Sequence, residues 1–338
     1  MNLRDFLAAI VLSSTSLVAQ ADGYNFTTVS TPSGFTLIGI NNNGESAGTF
    51  NPSSGGALGV FYNTANNFYL TFSNPNTTIS PSDTFGNGIN NSGQIVGSYF
   101  IDLSAPYIEN SYIYNGSGFT NLSDPNITTG SQQYTIANGI NDNATVVGAY
   151  NSQSNGWIGF EYSNGVYTDI IDSNAYQTSA NAINNSGAIV GSLAFSGTAV
   201  GSPSYVNSGF IDIGGVFTLL NDPNAASNSY GTVATGINNL GEVVGYYYDA
   251  TGITHGFLYN AGVYTTIDFT GLSINKSTTL SSINDLGQIA GNTSDGTVLH
   301  SFIASPATVP VPTTVWLFGS ALAGFIGFNR RKSVQQAI

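Results

Sequence analysis

Few residues in this chain have side chains that could do chemistry, and their spacing forms no known catalytic or metal-binding pattern. The two histidines, His255 and His300, occupy the same place in two copies of a repeat, at the start of a strand. A catalytic or metal-binding histidine needs partners, whereas a repeated position at a strand start indicates a structural role. We therefore assign no catalytic residue, no cofactor-binding residue and no metal ligand.

The carboxylates are scattered through turns. Asp142 and Asp285 each replace the second Asn of a repeated Ile-Asn-Asn turn, and Asp124 and Asp222 each precede a proline. Asp and Asn side chains at such positions bond to nearby backbone, which stabilises the turn. Two alternatives stay open: a structural Ca²⁺ held by the Asn-rich turns, and a glycosidase-like pair of carboxylates that the fold brings together.

Composition excludes several classes of function. The sequence has no P-loop, dinucleotide-binding or Gly-x-Ser-x-Gly motif, and no cysteine for disulfides or thiolate chemistry. Its charged fraction of 7% lies far below the roughly one quarter found in soluble domains. Within residues 22–306, Lys276 is the single basic residue. Nucleic acids and anionic lipids need clusters of cations, so both are excluded as partners.

The elements that must position any site come from a repeat of six copies. A motif of Ile-Asn, an Asn-x-Gly turn and an apolar segment ending in Gly recurs along the chain, with its Ile at positions 40, 89, 140, 183, 237 and 283. We interpret the closing glycines as places where strands crowd around an axis, with ligand approach as the alternative. These glycines are Gly48, Gly97, Gly148, Gly191, Gly245 and Gly291.

The repeat predicts four short strands per copy and an all-β fold. Strands flank the Asn-x-Gly turn, whose Gly we expect at positive φ, and an aromatic motif, clearest in residues 256–268, supplies two more. Four-stranded copies of this length favour a six-bladed β-propeller over a β-solenoid. Residues 24–29 form a lone fourth strand and residues 300–303 a final third strand. We therefore predict that the N-terminal strand closes the last blade.

The repeats resemble the HAF-type extracellular repeat family. Its units carry His-Ala-Phe before a strand and Ile-Asn-x-x-Gly-x-Val-Val-Gly after it. The nearest counterparts in this sequence are His255-Gly256-Phe257 and His300-Ser301-Phe302. The resemblance covers nearly all of residues 22–306 and implies secretion, without implying a defined activity.

The N-terminal segment has the features of a Sec signal peptide spanning residues 1–21. Arg4 precedes an apolar run over residues 6–18, and Ala19-Gln20-Ala21 forms a small-x-small cleavage site. The Sec translocon is therefore an expected partner. The alternative is a buried first helix.

The C-terminal segment, residues 307–338, has a different set of features. Pro310 and Pro312 precede an apolar stretch over residues 315–328, which we expect to be a short helix, and Arg330-Arg331-Lys332 follows. The stretch is shorter than the roughly 20 residues of a comfortable membrane span. This pattern indicates a transient membrane anchor that is later removed, with an ordinary tail anchor as the alternative.

The tail resembles the PEP-CTERM sorting signals of Gram-negative bacteria, in a Val-Pro-x-Pro variant with Val311 at the position of the name-giving Glu. In that family the membrane protease-transpeptidase exosortase is thought to cleave at the proline motif. Family members are typically made alongside exopolysaccharide systems. The resemblance implies processing by exosortase, with Pro310, Pro312, Arg330 and Arg331 in the signal, and delivery to the cell surface.

Three functions are compatible with these features. The first is a non-catalytic structural or adhesive component of an exopolysaccharide or biofilm matrix, which the tail and the hydroxyl-rich composition favour. The second is a carbohydrate-binding propeller, since the 19 tyrosines offer rings that could stack on sugars. The third, an enzyme acting on polysaccharide such as a glycosidase or lyase, has the least support. No cofactor is expected.

Overall fold

The computed structural model describes most of the repeat region. The described residues are 10–11, 18–21, 23–29, 32, 34–77, 83–102, 107–127, 132–152, 156–196, 205–226, 231–271, 277–294, 296 and 298–307. One compact unit spans Met1–Pro306, and a second spans Ala307–Ile338. The apolar helix expected at residues 315–328 therefore falls outside the described residues.

The described residues form strands and no helix, which confirms the all-β prediction. In chain order the strands are β1 (Ile10–Val11), β2 (Val18–Ala21), β3 (Tyr24–Thr28), β4 (Phe35–Ile40), β5 (Glu45–Phe50), β6 (Leu58–Asn63), β7 (Phe68–Phe72), β8 (Thr84–Ile89), β9 (Ile95–Asp102), β10 (Tyr107–Tyr114), β11 (Phe119–Leu122), β12 (Gln132–Ile140), β13 (Val146–Ser152), β14 (Gly156–Ser163), β15 (Val166–Ile170), β16 (Gln177–Ile183), β17 (Ile189–Ser196), β18 (Tyr205–Ile213), β19 (Val216–Leu220), β20 (Thr232–Ile237), β21 (Val243–Tyr248), β22 (Thr254–Asn260), β23 (Val263–Thr266), β24 (Ser277–Ile283), β25 (Ile289–Ser294) and β26 (Leu299–Pro306).

The strands form antiparallel units in a propeller-like arrangement. Four sheets each hold one four-stranded unit: β4–β7 with β1 added, β16–β19, β20–β23, and β24–β26 joined by β3 with β2 added. A fifth sheet holds β8–β11 and β12–β15. We number the repeat copies one to six in chain order, so that copy one is β4–β7 and copy six is β24–β26 with β3.

The sheets do not separate six blades, because copies two and three share an eight-stranded sheet. β10 runs parallel to β12, with Tyr107 opposite Gln132 and Glu109 opposite Tyr134. The physical reason is strand length. β10 has eight residues and β12 has nine, whereas β6 and β4 of copy one have six each. The extra residues at the start of both strands reach each other and pair.

The N-terminal strand completes copy six. β3 pairs with β26 in antiparallel register, with Phe26 opposite Ala304 and Thr28 opposite Phe302. Phe26 is fully buried, and its ring packs edge-on against Phe269 and Phe302 at centroid distances of 5.4 and 5.3 Å. Residues from opposite ends of the sequence therefore share one sheet and one aromatic cluster.

The closing glycines lie against the paired strand of their own copy, and the predicted crowding around an axis stays a prediction. A Cβ built on Gly48 would overlap the carbonyl oxygen of Thr36 on the neighbouring inner strand, and the same clash with an inner-strand carbonyl recurs at Gly97, Gly148, Gly191 and Gly245. In each of these copies the register of the two paired strands shifts close to this position, for example between Leu37 and Gly39, so a side chain there has no room.

The third copy breaks the turn pattern in one residue. Copies one, two, four, five and six have Gly at the fourth position after the key Ile, and all five adopt positive φ. Copy three has Ala144 there, at φ 59°, and its N–H donates to the Asn141 carbonyl oxygen at 3.0 Å. A Cβ in the left-handed region carries a steric cost that Gly avoids.

Ala144→Gly is therefore expected to stabilise the protein by about 1 kcal/mol, despite the greater entropy that Gly adds to the unfolded chain. Thermal unfolding measures the change. Ala188→Gly is the control, because Ala188 follows the same turn in copy four without positive φ and should lose stability. A lower melting temperature for Ala144→Gly would contradict the turn geometry.

Candidate functional site

A ring of asparagines closes one end of the repeat unit. In copy four, Asn184 is buried and its Oδ1 accepts the backbone N–H of Ser186 at 3.1 Å and of Ala188 at 3.0 Å. Its Nδ2 donates to the backbone oxygen of Asn238 in copy five at 3.1 Å. The same cross-copy bond recurs at 2.9–3.1 Å from Asn41, Asn90, Asn141, Asn238 and Asn284, and the last returns to Asn41.

The next residue of each turn forms a second ring outside the first. Each backbone N–H donates to the side-chain Oδ1 of the following copy at 2.8–2.9 Å, in the order Asn42, Asn91, Asp142, Asn185, Asn239, Asp285 and back to Asn42. Asp142 Oδ2 accepts from the amides of Asn91 and Asn185, and Asp285 Oδ2 from those of Asn42 and Asn239. Both aspartates thus bond to neighbouring copies, whereas we expected bonds within their own turns.

These bonds favour the charged form of one of the two aspartates. Burial alone would raise the pKa of Asp285, but hydrogen bonds from Asn42 and Asn239 lower it below its ordinary value. The two rings together, which we call the asparagine cap, hold the six hairpins to one another.

The inner strands surround a channel on the other side of the cap. Its volume is about 540 Å³, within the roughly 300–1,000 Å³ typical of ligand pockets. Its described lining is uncharged and includes Asn87, Asn138, Asn181, Thr235, Thr279 and Ser281. Asn87 and Asn138 donate through Nδ2 to inner-strand carbonyls of the following copy, which fixes their side chains.

Among the described residues, three aromatic pairs whose rings are both half-buried lie at the strand ends remote from the cap, and we call this end the mouth. Tyr134 precedes Ile140 by six residues on β12, which is about 20 Å at ~3.3 Å per residue. The pairs are Phe85 with Phe100 at 6.0 Å, Tyr134 with Trp157 at 6.0 Å and Tyr246 with Tyr248 at 5.7 Å between ring centroids. All six rings are half-buried, so part of each meets solvent.

A side groove connects with the mouth between copies three and four. Its volume is about 340 Å³, and it shares Asn138 and Asn181 with the channel lining. Its other lining residues are Ile136, Ala149, Trp157, Gln177, Thr178, Ser179, Ser192, Ala194 and Asn207. Aromatic, amide and hydroxyl side chains therefore meet in one concave space. We call this space the copy-three groove.

Two buried carboxylates, Glu109 and Asp212, escaped the sequence analysis, and Glu109 lies near the mouth. Glu109 is 7% exposed on β10, and its Oε1 accepts the Ser98 hydroxyl at 2.6 Å. Burial raises its pKa, although the bond from Ser98 opposes the shift. Glu109 lies where β10 pairs with β12, opposite Tyr134. A lone Glu in one copy of a variable strand gives no periodic signal, so the sequence did not reveal it.

Glu109→Gln is expected to raise stability at pH 8 and to have little effect near pH 4. A carboxyl whose folded pKa exceeds its unfolded value, about 4.3 for Glu, loses stability as pH rises from the unfolded to the folded pKa. The loss is about 1.4 kcal/mol for each pH unit between the two values. Urea unfolding at both pH values tests this, with Glu161→Gln, half-buried on β14, as the control. An equal gain at both pH values would contradict the assignment.

His255 has more partners than its place in the repeat indicated. Its Nδ1 lies 2.7 Å from Asp268 Oδ2, its Nε2 lies 3.5 Å from Asp249 Oδ2, and its ring stacks on Tyr247. Burial lowers the pKa of His255, but the two carboxylates outweigh burial and raise it. His300 pairs with Thr293 within the last sheet. Within the described ranges, no three His, Asp or Glu residues are placed to hold a metal ion.

The structure places two of the predicted processing residues. Ala19 and Ala21 lie in β2, opposite Phe26 and Tyr24 of β3. Pro310, Pro312, Arg330 and Arg331 lie outside the described residues, so their role stays a prediction from the sequence. In the part of the chain that the structure describes, no helix has the length and apolar character needed to cross a membrane.

Comparison with known families identifies the tail. Residues 308–332 match the PEP-CTERM protein-sorting motif. This motif indicates an exported protein directed to the cell surface and implies sorting by exosortase. It confirms that the tail carries a PEP-CTERM motif, whereas the Val-Pro-x-Pro variant, the Gram-negative host and the HAF-type resemblance of the repeats stay predictions. No curated protein matches this sequence.

Solved structures of similar shape share little sequence with this chain. A triple mutant of AofleA from Arthrobotrys oligospora is 10% identical with a TM-score of 0.47, covering 83% of this chain and 86% of its own. Trypanosoma rangeli sialidase is 8% identical with a TM-score of 0.48, covering 97% of this chain and 63% of its own. A mutant of the Aleuria aurantia lectin is 11% identical with a TM-score of 0.40, covering 70% of this chain and 80% of its own.

Proposed function

We propose that this protein is an exported, non-catalytic surface protein whose six copies act as six blades of one propeller and whose mouth binds carbohydrate. The producing cell is Gram-negative, and the matrix around it supplies the ligand. The tail anchors the chain transiently before exosortase removes it. The observation that carries the binding proposal is the set of three half-buried aromatic pairs at the mouth, of which Tyr246 and Tyr248 line the uncharged channel and Trp157 lines the copy-three groove.

The chemistry of the mouth suits sugars. A sugar ring has an apolar face of C–H groups that packs on an aromatic ring, and hydroxyls that bond to amides and other hydroxyls. The mouth supplies both kinds of group within a pre-formed concavity. Its described lining contains no Asp, Glu or His, which supports binding without hydrolysis at this place.

A glycan array probed with the purified full-length chain tests the proposal. We expect saturable binding to one glycan or a small related set. A triple variant, Phe100→Ala, Trp157→Ala and Tyr246→Ala, should lose at least tenfold in affinity. Tyr259→Ala is the matched control, because Tyr259 forms a similar aromatic pair with Tyr264 but lies opposite Val243, near the cap.

Folded wild-type chain that binds no glycan would overturn the carbohydrate proposal. That result would favour the second candidate, a purely structural or adhesive matrix component, which the sorting motif supports without requiring a ligand. Mass spectrometry of surface-exposed protein tests the tail separately. We expect a C-terminus within residues 310–314, and a chain that retains Lys332 would contradict processing.

A further inference from the structure

Resting on the proposed function, the geometry points to the copy-three groove as a site for a neutral pyranose, with Trp157 as its platform. We infer that it takes an uncharged sugar segment and rejects sugars that carry carboxylates. The ring of Trp157 is stacked nearly parallel to Tyr134, with 10° between their planes. A platform backed by a second ring is fixed before the ligand arrives, so less ordering is needed on binding.

Polar side chains face this platform with bonding capacity to spare. Gln177, Ser192 and Asn207 line the groove and are half-buried. Among the described residues, their side chains make no hydrogen bond, so an amide or hydroxyl group of each remains for a ligand. Asn138 and Asn181, by contrast, hold carbonyls of the following copies with Nδ2 bonds of 2.9 and 2.8 Å.

The backbone keeps Gln177 and Asn207 close to the groove. Gly156 precedes Trp157 with φ 71°, and a Cβ added there would lie 2.8 Å from Gln177 Nε2. Asn207 is bridged through its backbone to Gly231 of the neighbouring copy. The missing side chain at Gly156 thus leaves room for Gln177, and the bridge fixes the backbone of Asn207 beside the groove.

Electrostatics determines the class of sugar. All five Lys and Arg residues of the chain lie outside the described residues, at positions 4, 276, 330, 331 and 332. The groove lining is uncharged, so an acidic sugar would find no described cation to pair with its carboxylate. Burial first, and then the negative charge of Glu109, raise the pKa of Tyr134, which shows that a negative field reaches the platform.

The groove volume sets the length of the ligand. At about 340 Å³ it lies near the lower end of the range for small-molecule sites, roughly 300–1,000 Å³. A short segment of a glycan fits this space, and the rest of a polysaccharide would run out along the mouth past Asn138 and Asn181, which line both cavities.

Tryptophan fluorescence of the full-length chain tests the groove directly. The chain has two tryptophans, Trp157 and Trp316, so Trp316→Phe leaves the groove residue as the sole reporter. Methyl glycosides of neutral hexoses should change its emission saturably, whereas glucuronic and galacturonic acid should not. Gln177→Ala and Asn207→Ala should each weaken binding by about tenfold, the effect of losing one hydrogen bond of about 1.4 kcal/mol.

The outcomes separate this inference from the proposed function. Two results together would overturn the groove assignment while the mouth proposal stands. Trp157→Ala would still bind glycans on the array, and the emission of Trp316→Phe would not change when sugar is added. A saturable response to the uronic acids would overturn the neutral selectivity. If the folded wild-type chain binds no glycan on the array, both the groove assignment and the proposed carbohydrate binding are overturned. Trp157→Phe should retain part of the affinity, because it keeps an aromatic face, and equal melting temperatures exclude misfolding as the cause.

Discussion

Asn184→Ala is expected to lower the free energy of unfolding by about 2–4 kcal/mol, the largest loss for any single polar side chain that we predict. The substitution removes the acceptor of two backbone N–H groups and the donor to the Asn238 carbonyl. Asn184, Ala188 and Asn238 are buried, although the turn residues 185–187 are exposed, and each unsatisfied buried group costs about 1–3 kcal/mol. Urea unfolding measures the loss.

Two variants make this test specific to the cap. Asn174→Ala removes an exposed amide from another turn and should change stability by less than about 0.5 kcal/mol. Asn184→Asp keeps the acceptor but places a charge against the Asn238 carbonyl, so it should be destabilising at pH 7 and recover in part where the carboxyl is protonated. A loss below 1 kcal/mol for Asn184→Ala would show that the cap contributes little.

Phe26→Ala is expected to cost about 3–5 kcal/mol, because a fully buried aromatic side chain leaves a cavity between Phe269 and Phe302. The strand that carries Phe26 joins the two ends of the repeat unit. Hydrogen exchange should therefore show lost protection in β24, β25 and β26, which are distant in sequence. Deleting residues 24–29 should lower hydrogen-exchange protection in the same three strands by a larger amount.

Two controls distinguish the effect of losing the N-terminal strand from copy six from the effect of losing core volume. Phe26→Leu fills much of the space and should cost less than Phe26→Ala. Phe210→Ala removes an equally buried ring from copy four, so its loss of protection should centre on β16–β19. Unchanged protection across β24–β26 in Phe26→Ala would contradict closure by the N-terminal strand.

The repeat pattern made the fold class predictable. Ile and Asn recur with the turn glycines, so the strands and the hairpins followed from the sequence. The hydrogen bonds between copies could not be predicted, because Asn184 and Asn238 are 54 residues apart and pair only once the ring forms. Strand pairing between copies two and three was missed for a similar reason, since it depends on the lengths of β10 and β12.

The candidate groove could not be found from the repeat. Trp157 lies three residues before the buried Phe160, and the corresponding positions before Tyr112, Phe210 and Phe257 hold Glu109, Asn207 and Thr254. Comparison of the copies identifies the residues that they share, whereas the groove is lined by residues that differ between copies. The count of tyrosines pointed to aromatic surfaces in general but did not locate the one aromatic pair that borders the groove.

The outer ring of the cap has two Asn residues followed by one Asp, twice over, and this order restricts how copies can be rearranged. Each Asn of that ring has one Asp neighbour, and each Asp accepts from the amides on both sides, at Asp142 and at Asp285. This pattern of one Asp for every two Asn residues can be kept around the ring only when the number of copies is a multiple of three. Loss of a copy with Asp would leave amides without a carboxylate, and loss of a copy with Asn would leave one amide between two carboxylates. Exchange of whole three-copy halves would preserve the pattern, so recombination has a permitted unit larger than the repeat itself.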